Sequence, residues 1–198
     1  MKIISGRFKG RNFYTAKGSK ARPTSTKVRE ALFNILYNKV DDAIVIDLFA
    51  GSGGFGLEAL SRGCSKVCFC DYDRKAIRSI QEYLDEFEVD KQEYSIYSMD
   101  FNRALMKMQS DGVLADIIYI DPPYKSDIYN SILEKCVPLI NDNGTIIIEH
   151  DKRASINMAN GYITTQTKRY GNTTISIFSY EGESWAYGYI QVALILLH

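Results

Sequence analysis

Short apolar runs alternate with amphipathic stretches from residue 43 onward. The apolar runs have the length of buried strands and lie at residues 43–49, 66–71, 94–98, 115–121 and 145–150. Helices are predicted between them at residues 55–62, 74–87, 102–109 and 129–139. Asn143-Gly144 is expected to end the last helix. Regular alternation of strands and helices favours an α/β fold in which a parallel sheet carries helices on both faces.

The chain from residue 162 follows a different pattern. Two β-rich runs, residues 162–171 and 172–182, meet at Gly171-Asn172 and predict an antiparallel hairpin. A mostly parallel, seven-stranded sheet that ends in such a hairpin is typical of the Rossmann-like fold of class I methyltransferases, which use S-adenosylmethionine. The plain dinucleotide-binding pattern lacks this hairpin.

The first 40 residues form a separate unit in the pattern. Residues 3–15 predict a short hairpin, and Arg7, Lys9 and Arg11 fall on one face of it if the backbone is extended. A helix with one apolar stripe is predicted from Thr26. We therefore expect three parts: a hairpin-and-helix extension at 1–40, a main domain at 41–182, and an apolar tail of unassigned role at 183–198.

Charge separates the same two parts of the chain, although the net charge is zero. Residues 1–40 contain ten Lys or Arg and one acid, a balance of 10 − 1 = +9, and the remainder holds 14 basic and 23 acidic residues, a balance of −9. A concentrated basic segment is compatible with binding to a polyanion and, from charge alone, equally compatible with a solvated arm.

Other bulk features point to a cytoplasmic protein without a metal. No run is long and apolar enough to span a bilayer, and the N-terminus lacks the apolar stretch of a signal peptide. The four cysteines, which do not form paired C-x-x-C units, are interpreted as small buried hydrophobes, and the two histidines are far apart in sequence.

A glycine-rich loop predicts a nucleotide cofactor. Gly51, Gly53 and Gly56 satisfy G-x-G-x-x-G between a strand and a helix, where glycines permit a tight turn and close approach of a ligand. Asp71 ends the next strand, twenty residues beyond Gly51, at the position of a carboxylate that binds a ribose diol. This motif alone suits NAD as well as S-adenosylmethionine.

Two further acids favour S-adenosylmethionine. Asp47 stands before the loop, where a carboxylate can meet the ammonium group of the methionine moiety, whereas the pyrophosphate of NAD is anionic. Asp100 is predicted to accept from the adenine amino group beside Phe101, to cap the following helix, or both. The predicted cofactor contacts are Asp47, Phe49, Gly51, Ser52, Gly53, Asp71, Tyr72, Asp100 and Phe101.

The fourth strand leads into "DPPY", Asp121 to Tyr124. Pro122 and Pro123 lack backbone N–H groups and restrict the backbone, so this loop is expected to be stiff. A stiff loop at the carboxyl end of a strand can hold polar atoms in fixed positions. The alternative is a rigid turn with no chemical role.

Five stretches together resemble a known family. They are "RPTSTKVREALFNIL", "DLFAGSGGFGLEALSRG", "CDYDRKA", "YIDPPY" and "IIIEH", and the resemblance covers residues 2–180. In this order they are similar to the bacterial RsmD family, which transfers a methyl group from S-adenosylmethionine to N2 of a guanine in small-subunit ribosomal RNA. The tail after Gly182 departs from the family.

The resemblance implies a role for each group of site residues. The Asp121 carboxylate and the Pro122 carbonyl would each accept an amine hydrogen, Pro123 would stiffen the loop, and Tyr124 would stack on the target base. RNA contacts are expected from Arg7, Lys9, Arg11, Arg22, Thr24, Lys27, Arg29 and Glu149. Phe8, Phe13 or Tyr14 are expected to stack on bases. For Glu149, a solvated acid at a strand end is an equal alternative.

Three other functions remain open at this point. A DNA adenine-N6 or cytosine-N4 methyltransferase shares "DPPY" but usually carries a separate target-recognition domain. An NAD-dependent oxidoreductase would leave Asp47 and the "DPPY" loop unexplained. A non-catalytic RNA-binding protein would not need an intact Asp121. We expect a monomer that acts on ribosomal RNA, either naked or in a partly assembled particle.

Overall fold

Seven strands form one twisted layer, and five α-helices cover it, in the part of the chain that the computed structural model describes. The described residues are 1–14, 26–123, 128–154, 156, 162–171 and 173–180. The strands are β1 Ile44–Asp47, β2 Lys66–Asp71, β3 Tyr94–Ser98, β4 Ala115–Ile120, β5 Ile140–Asp151, β6 Tyr162–Tyr170 and β7 Thr173–Tyr180. The helices are α1 Thr26–Ile35, α2 Gly54–Ser61, α3 Arg74–Glu86, α4 Phe101–Ser110 and α5 Tyr129–Cys136.

The strand order in the sheet is β3-β2-β1-β4-β5-β7-β6. Strands β1 to β5 pair in parallel, while β7 is antiparallel to both β5 and β6. The predicted mostly parallel sheet with a C-terminal hairpin is confirmed. The strand order reverses between β1 and β4, and in open α/β sheets ligands bind in the crevice at this point.

One boundary differs from the prediction. Helix α5 ends at Cys136 and continues as a 3₁₀ turn to Leu139, so Asn143-Gly144 does not end it. Strand β5 instead begins at Ile140, and the register with β4 shifts from Ala115↔Ile140 to Ile117↔Thr145. Between these two pairs β5 advances five residues while β4 advances two, and Asn143-Gly144 lies in this irregular stretch of β5.

Two hydrophobic cores lie on the two faces of the sheet. Helices α1, α2 and α3 and the N-terminal residues share the first core, and α4 and α5 share the second. Side chains alternate between the faces along each strand: Val45 belongs to the first core and Ile46 to the second. Cys68 and Cys70 share the second face, and all four cysteines are buried free thiols, as the sequence indicates.

The N-terminal hairpin is shorter and more tightly turned than predicted. Its two arms meet in one antiparallel bridge, Lys2↔Asn12, and Gly6 and Gly10 adopt left-handed conformations in the turn between them. The backbone from Arg7 to Arg11 is therefore not extended, so the condition under which Arg7, Lys9 and Arg11 would share one face is not met. The segment belongs to the first core, because Ile3 and Phe13 are buried there together with Leu32 of α1.

Candidate active site

The predicted cofactor and catalytic residues converge because four parallel strands end at the same edge of the sheet. Asp47 ends β1 and Asp71 ends β2, while Asp100 follows β3 and Asp121 follows β4. We call this side the carboxyl edge and the opposite side the amino edge. Asp47 pairs in register with Tyr119, and the Leu48 amide donates to the Tyr119 carbonyl at 2.9 Å. The glycine loop and the "DPPY" loop thus start side by side at the reversal point of the sheet.

Asp71 fixes the glycine loop through both of its carboxylate oxygens. Oδ2 accepts from the Gly51 amide at 2.8 Å and Oδ1 accepts from the Asp73 amide at 2.8 Å. Gly51 and Gly53 have φ values of 52° and 76°, a region that strongly favours glycine. Partial burial raises the pKa of Asp71, and the hydrogen bonds from Asp73 and Gly51 oppose that rise. Each oxygen retains a second lone pair that can accept from a diol.

Asp47 lies beneath the loop and does not open to solvent. Its side chain is 1% exposed, and Oδ2 accepts from the Gly56 amide in the first turn of α2 at 3.0 Å. Burial raises the pKa of Asp47 to about 7, the Asp71 charge acts in the same direction, and the Gly56 hydrogen bond opposes it. Asp47 therefore braces the loop from below in this structure, which differs from the predicted direct contact with an ammonium group.

The expected adenine side of the site contains a pair of aromatic rings. Phe49, just after β1, and Phe101, at the start of α4, have ring centroids 5.6 Å apart, and both residues are half-buried. Asp100 is exposed and caps α4, because Oδ1 accepts from the Asn102 amide at 3.1 Å and the Arg103 amide at 3.2 Å. The capping role of Asp100 is confirmed, and its contact with adenine stays a prediction.

Ser52 and Tyr72 flank the loop in contrasting ways. Ser52 is buried, with Oγ 3.9 Å from the Met1 sulfur. Tyr72 follows Asp71 and is 69% exposed, so its ring lies open next to the predicted ribose position. An exposed aromatic ring beside a cofactor loop can pack on a bound nucleoside.

The "DPPY" loop begins at the carboxyl end of β4, as predicted. Asp121 is half-buried, Pro122 is buried and Pro123 is exposed. Tyr124 lies outside the described residues, so its predicted stacking role is untested. Strand β4 places Asp121 directly beside the loop that follows β1, since β1 and β4 are hydrogen-bonded neighbours.

Glu149 is neither solvated nor isolated. Its side chain is 5% exposed, and Oε1 accepts from the Tyr119 hydroxyl. The Tyr119 ring stacks on Phe55, with centroids 4.0 Å apart and planes inclined by 11°. The alternative of a solvated strand-end acid is therefore wrong, and a role in guanine recognition stays a prediction.

The basic residues of the N-terminal turn lie at the amino edge of the sheet. The Arg7 guanidinium pairs with Glu93 at 2.6 Å, just before β3, and Arg11 donates to the Glu86 carbonyl at the end of α3 at 2.9 Å. A strand of four to six residues spans about 13–20 Å at about 3.3 Å per residue. Arg7, Lys9 and Arg11 are thus separated from Asp121 by about the height of the sheet.

Two other groups of predicted RNA contacts require correction. Arg29 is 1% exposed, donates to the Lys2 carbonyl at 2.6 Å and lies 3.6 Å from the Glu58 carboxylate, so phosphate cannot reach it without rearrangement. Phe8 and Phe13 are buried, which excludes base stacking in this conformation, whereas Tyr14 is exposed. Lys27 is exposed, as expected, and Arg22 and Thr24 lie outside the described residues.

Sequence reasoning overlooked Glu58 and Ser61 of α2. The Glu58 side chain is fully buried, and its carboxylate accepts from the Ile4 amide at 2.8 Å, the Ser5 amide at 3.0 Å and Arg62 Nε at 2.8 Å. The sequence contained one signal for Glu58. It is the only acid in the otherwise apolar helix "GFGLEALS", and it lies four residues before Arg62, a spacing at which the two side chains can pair.

Solved structures share this architecture. The Escherichia coli protein described as "Putative methyltransferase yhhF" has a TM-score of 0.80 and 25% identity, over 91% of this chain and 98% of that chain. A structure described as "SMU.776, a putative methyltransferase complexed with SAH" has a TM-score of 0.64 and 15% identity, over 77% of this chain and 48% of that one. The fold and the site together define a Rossmann-like methyltransferase.

Sequence comparison identifies the family. The family model described as "Conserved hypothetical protein 95" matches residues 1–179. "Putative rRNA methyltransferase YlbH" of Bacillus subtilis (strain 168) is 35% identical over 92% of this chain and 100% of its own length. "Ribosomal RNA small subunit methyltransferase D" of Escherichia coli (strain K12) is 31% identical over 75% of this chain and 71% of its own length. The chain belongs to the RsmD family of ribosomal RNA methyltransferases.

These findings confirm the expected family, enzyme class and S-adenosylmethionine as the cofactor. Among the described residues, no helix has the length and apolar character needed to cross a membrane. The same residues contain no cluster of His, Cys, Asp and Glu arranged to hold a metal ion.

Proposed function

We propose that this protein transfers a methyl group from S-adenosylmethionine to the exocyclic N2 amine of a guanine in small-subunit ribosomal RNA. The observation that carries the proposal is the placement of the Asp71-bound glycine loop and the Asp121-Pro122-Pro123 loop on neighbouring strands β1 and β4. One loop suits the cofactor and the other suits an amine, and they begin side by side. The family relatives named for small-subunit ribosomal RNA support the substrate.

The residues present fit this cofactor chemically. S-Adenosylmethionine carries a methyl group on a positively charged sulfonium and also carries an ammonium group. Asp47 and Asp71 are carboxylates with raised pKa values, and a nearby positive charge would stabilise their ionised forms. Asp71 would hold the ribose, Phe49 and Phe101 the adenine, and Gly51 and Gly53 the methionine end.

The "DPPY" loop would orient the nucleophile. The lone pair of an exocyclic guanine amine is delocalised into the ring, so the amine is a poor nucleophile until it becomes more tetrahedral. The Asp121 carboxylate and the Pro122 carbonyl would each accept one amine hydrogen and stabilise the positive charge that develops on nitrogen. When bound, S-adenosylmethionine would supply the methyl group by cleavage of its methyl–sulfur bond, which leaves S-adenosylhomocysteine, and the methylated nitrogen would lose one proton to solvent.

The target base must leave its helix to reach this loop. Tyr124 would stack on the extruded guanine, and Glu149 would receive guanine N–H groups after exchanging its bond from Tyr119. Arg7, Lys9, Arg11, Arg22, Thr24 and Lys27 would contact the RNA backbone. We further propose that the protein acts as a cytoplasmic monomer, without a metal, on RNA that is naked or in a partly assembled particle.

Calorimetric titration tests the cofactor, and a transfer assay tests the substrate. The purified protein should bind S-adenosylhomocysteine and not NAD. It should then methylate small-subunit ribosomal RNA isolated from cells that lack the activity, with the product identified as N2-methylguanine by mass spectrometry. Binding of NAD alone would overturn the proposal. Methylation of duplex DNA at adenine N6 or cytosine N4, with no activity on RNA, would replace the proposed substrate.

A further inference from the structure

The N-terminal segment, residues 1–14, packs directly behind the glycine loop. Phe13 and Arg29 contact Gly54, the first residue of α2, since a Cβ built at Gly54 would lie 3.4 Å from the Phe13 ring and from Arg29 Nη1. The Arg29 guanidinium lies over the Phe13 ring, 5.3 Å from its centroid. Met1 contacts Ser52 at the loop itself. The basic N-terminal segment therefore also forms the back wall of the cofactor loop.

Glu58 ties this back wall to α2. Its buried carboxylate accepts from the Ile4 and Ser5 amides and faces Arg62, which directly follows α2, and Arg29 on α1. A buried carboxylate is stable only when its oxygens are hydrogen-bonded and its charge is paired. Displacing the N-terminal segment would leave this carboxylate without two of its donors, so the segment and α2 are held as one unit.

A second set of hydrogen bonds attaches the N-terminal segment to Ser61 at the end of α2. The Arg7 amide donates to the Ser61 carbonyl at 2.7 Å and the Phe8 amide donates to Ser61 Oγ at 2.9 Å. Ser61 Oγ in turn donates to the Ser5 carbonyl. Gly6 packs so closely that a Cβ there would lie 1.6 Å from the Ser61 carbonyl oxygen. These contacts continue along α2 to the amino edge of the sheet, opposite the glycine loop.

We propose that Glu58 is a positioning residue for the cofactor loop, and that docking of residues 4–8 onto Glu58 and Ser61 holds the start of α2 in its cofactor-binding position. The connection takes three steps. Residues 4–8 contact Glu58, Glu58 contacts Arg29, and Arg29 together with Phe13 contacts Gly54. Because Asp47 also holds Gly56 from the sheet side, the first turn of α2 is fixed from two directions.

A matched pair of glycine variants tests this coupling far from the loop. Gly6 and Gly10 both adopt left-handed φ, at 81° and 87°, so alanine strains the backbone at both sites. A Cβ at Gly10 meets no atom within 4 Å, whereas one at Gly6 collides with Ser61. We expect Gly6→Ala to weaken S-adenosylhomocysteine binding about tenfold, equivalent to about 1.4 kcal/mol, and Gly10→Ala to leave the affinity at the wild-type value.

Two further measurements keep the test decisive. Ser61→Ala adds no atoms and removes the Oγ hydrogen bonds. It replaces Gly6→Ala as the test variant if that protein fails to fold, and it should also weaken S-adenosylhomocysteine binding. Amide hydrogen exchange should accelerate at Gly54–Gly56 in both variants, with strand β4 unchanged. This readout needs no ligand, so it tests the coupling even if the proposed function is wrong. The choice of S-adenosylhomocysteine as the probe rests on the proposed function. Wild-type affinity and wild-type exchange at Gly54–Gly56 in folded Gly6→Ala and Ser61→Ala proteins would overturn the proposal.

Discussion

The carboxyl edge and the amino edge of the sheet differ in what their charged side chains bind. At the carboxyl edge, acids at the ends of adjacent parallel strands accept hydrogen bonds from backbone amides and thereby hold the segments that follow the strands. At the amino edge, Arg7 and Arg11 reach across the surface to Glu93 and to the Glu86 carbonyl. The first edge is organised for chemistry at one point, whereas at the second edge the arginines are held by an acidic side chain and a backbone carbonyl. The comparison indicates that the proposed RNA contacts near the target base and those proposed for the N-terminal turn would be made by different parts of one extended substrate.

The largest expected effect is at Asp121. Asp121→Ala should lower methyl transfer by about 10²–10³-fold, because the amine loses an acceptor that stabilises developing charge. The affinity for S-adenosylhomocysteine should stay at the wild-type value, since the glycine loop is untouched. Asp142→Ala, at an exposed acid in the irregular stretch of β5, is the control. Wild-type turnover of the Asp121 variant would remove this carboxylate from the mechanism.

Asp71 should govern cofactor affinity. Asp71→Asn leaves one acceptor oxygen and introduces an N–H group opposite a backbone amide. An unsatisfied polar contact of this kind costs about 1–3 kcal/mol, which corresponds to roughly 5- to 150-fold weaker binding of S-adenosylhomocysteine by calorimetry. Asp85→Asn on the exposed face of α3 should change nothing. Equal affinities for the two variants would show that the loop does not depend on Asp71.

The pH dependence of binding should report on Asp47. The pKa of Asp47 is about 7 in the folded protein, and a positively charged cofactor would favour the ionised carboxylate. Binding should therefore release protons near neutral pH and should tighten as pH rises through 7. Calorimetry in buffers of different ionisation enthalpy measures this release. Asp47→Asn should abolish it, and identical proton release in the variant would assign the effect to another group.

The same pKa makes a stability prediction of definite sign. Because the folded-state pKa lies above the unfolded value near 3.9, the folded protein binds this proton more tightly. The stabilising contribution is fully present below about pH 4 and is lost as pH rises to about 7. The difference in unfolding free energy between wild type and Asp47→Asn, measured in urea at several pH values, should follow this curve. A flat difference from pH 4 to 8 would contradict the assignment.

The smallest expected effect is at the amino edge. Replacing Arg7, Lys9 and Arg11 by Gln should weaken RNA binding modestly and make its salt dependence shallower, by up to about 0.7–0.9 in the log–log slope for each phosphate that is no longer neutralised. Replacing Lys168 and Arg169 of strand β6, at the far side of the sheet, is the control. If both sets change the salt slope equally per charge, the N-terminal turn has no special contact with RNA.

The sequence alone determined the fold class and most of the carboxyl edge. Apolar runs of strand length that alternate with amphipathic helical segments predict one simple arrangement, a parallel sheet with helices on both faces. Parallel strands then bring their carboxyl ends together without further information, so Asp47, Asp71, Asp100 and Asp121 could be assigned to one site from their positions after strands. The capping role of Asp100 was predictable from local sequence, because it depends on neighbours within three residues.

Only the tertiary structure decided what the N-terminal charges and the buried acids do. Local sequence does not reveal that Arg29 is buried against Glu58 or that Asp47 lies beneath the loop, because these states depend on desolvation by elements distant in the chain. The spacing of Arg7, Lys9 and Arg11 was equally compatible with an extended strand and with the turn that Gly6 and Gly10 form. Long-range packing selects among such alternatives, since the cost of burying a charge is set by all the groups that surround it.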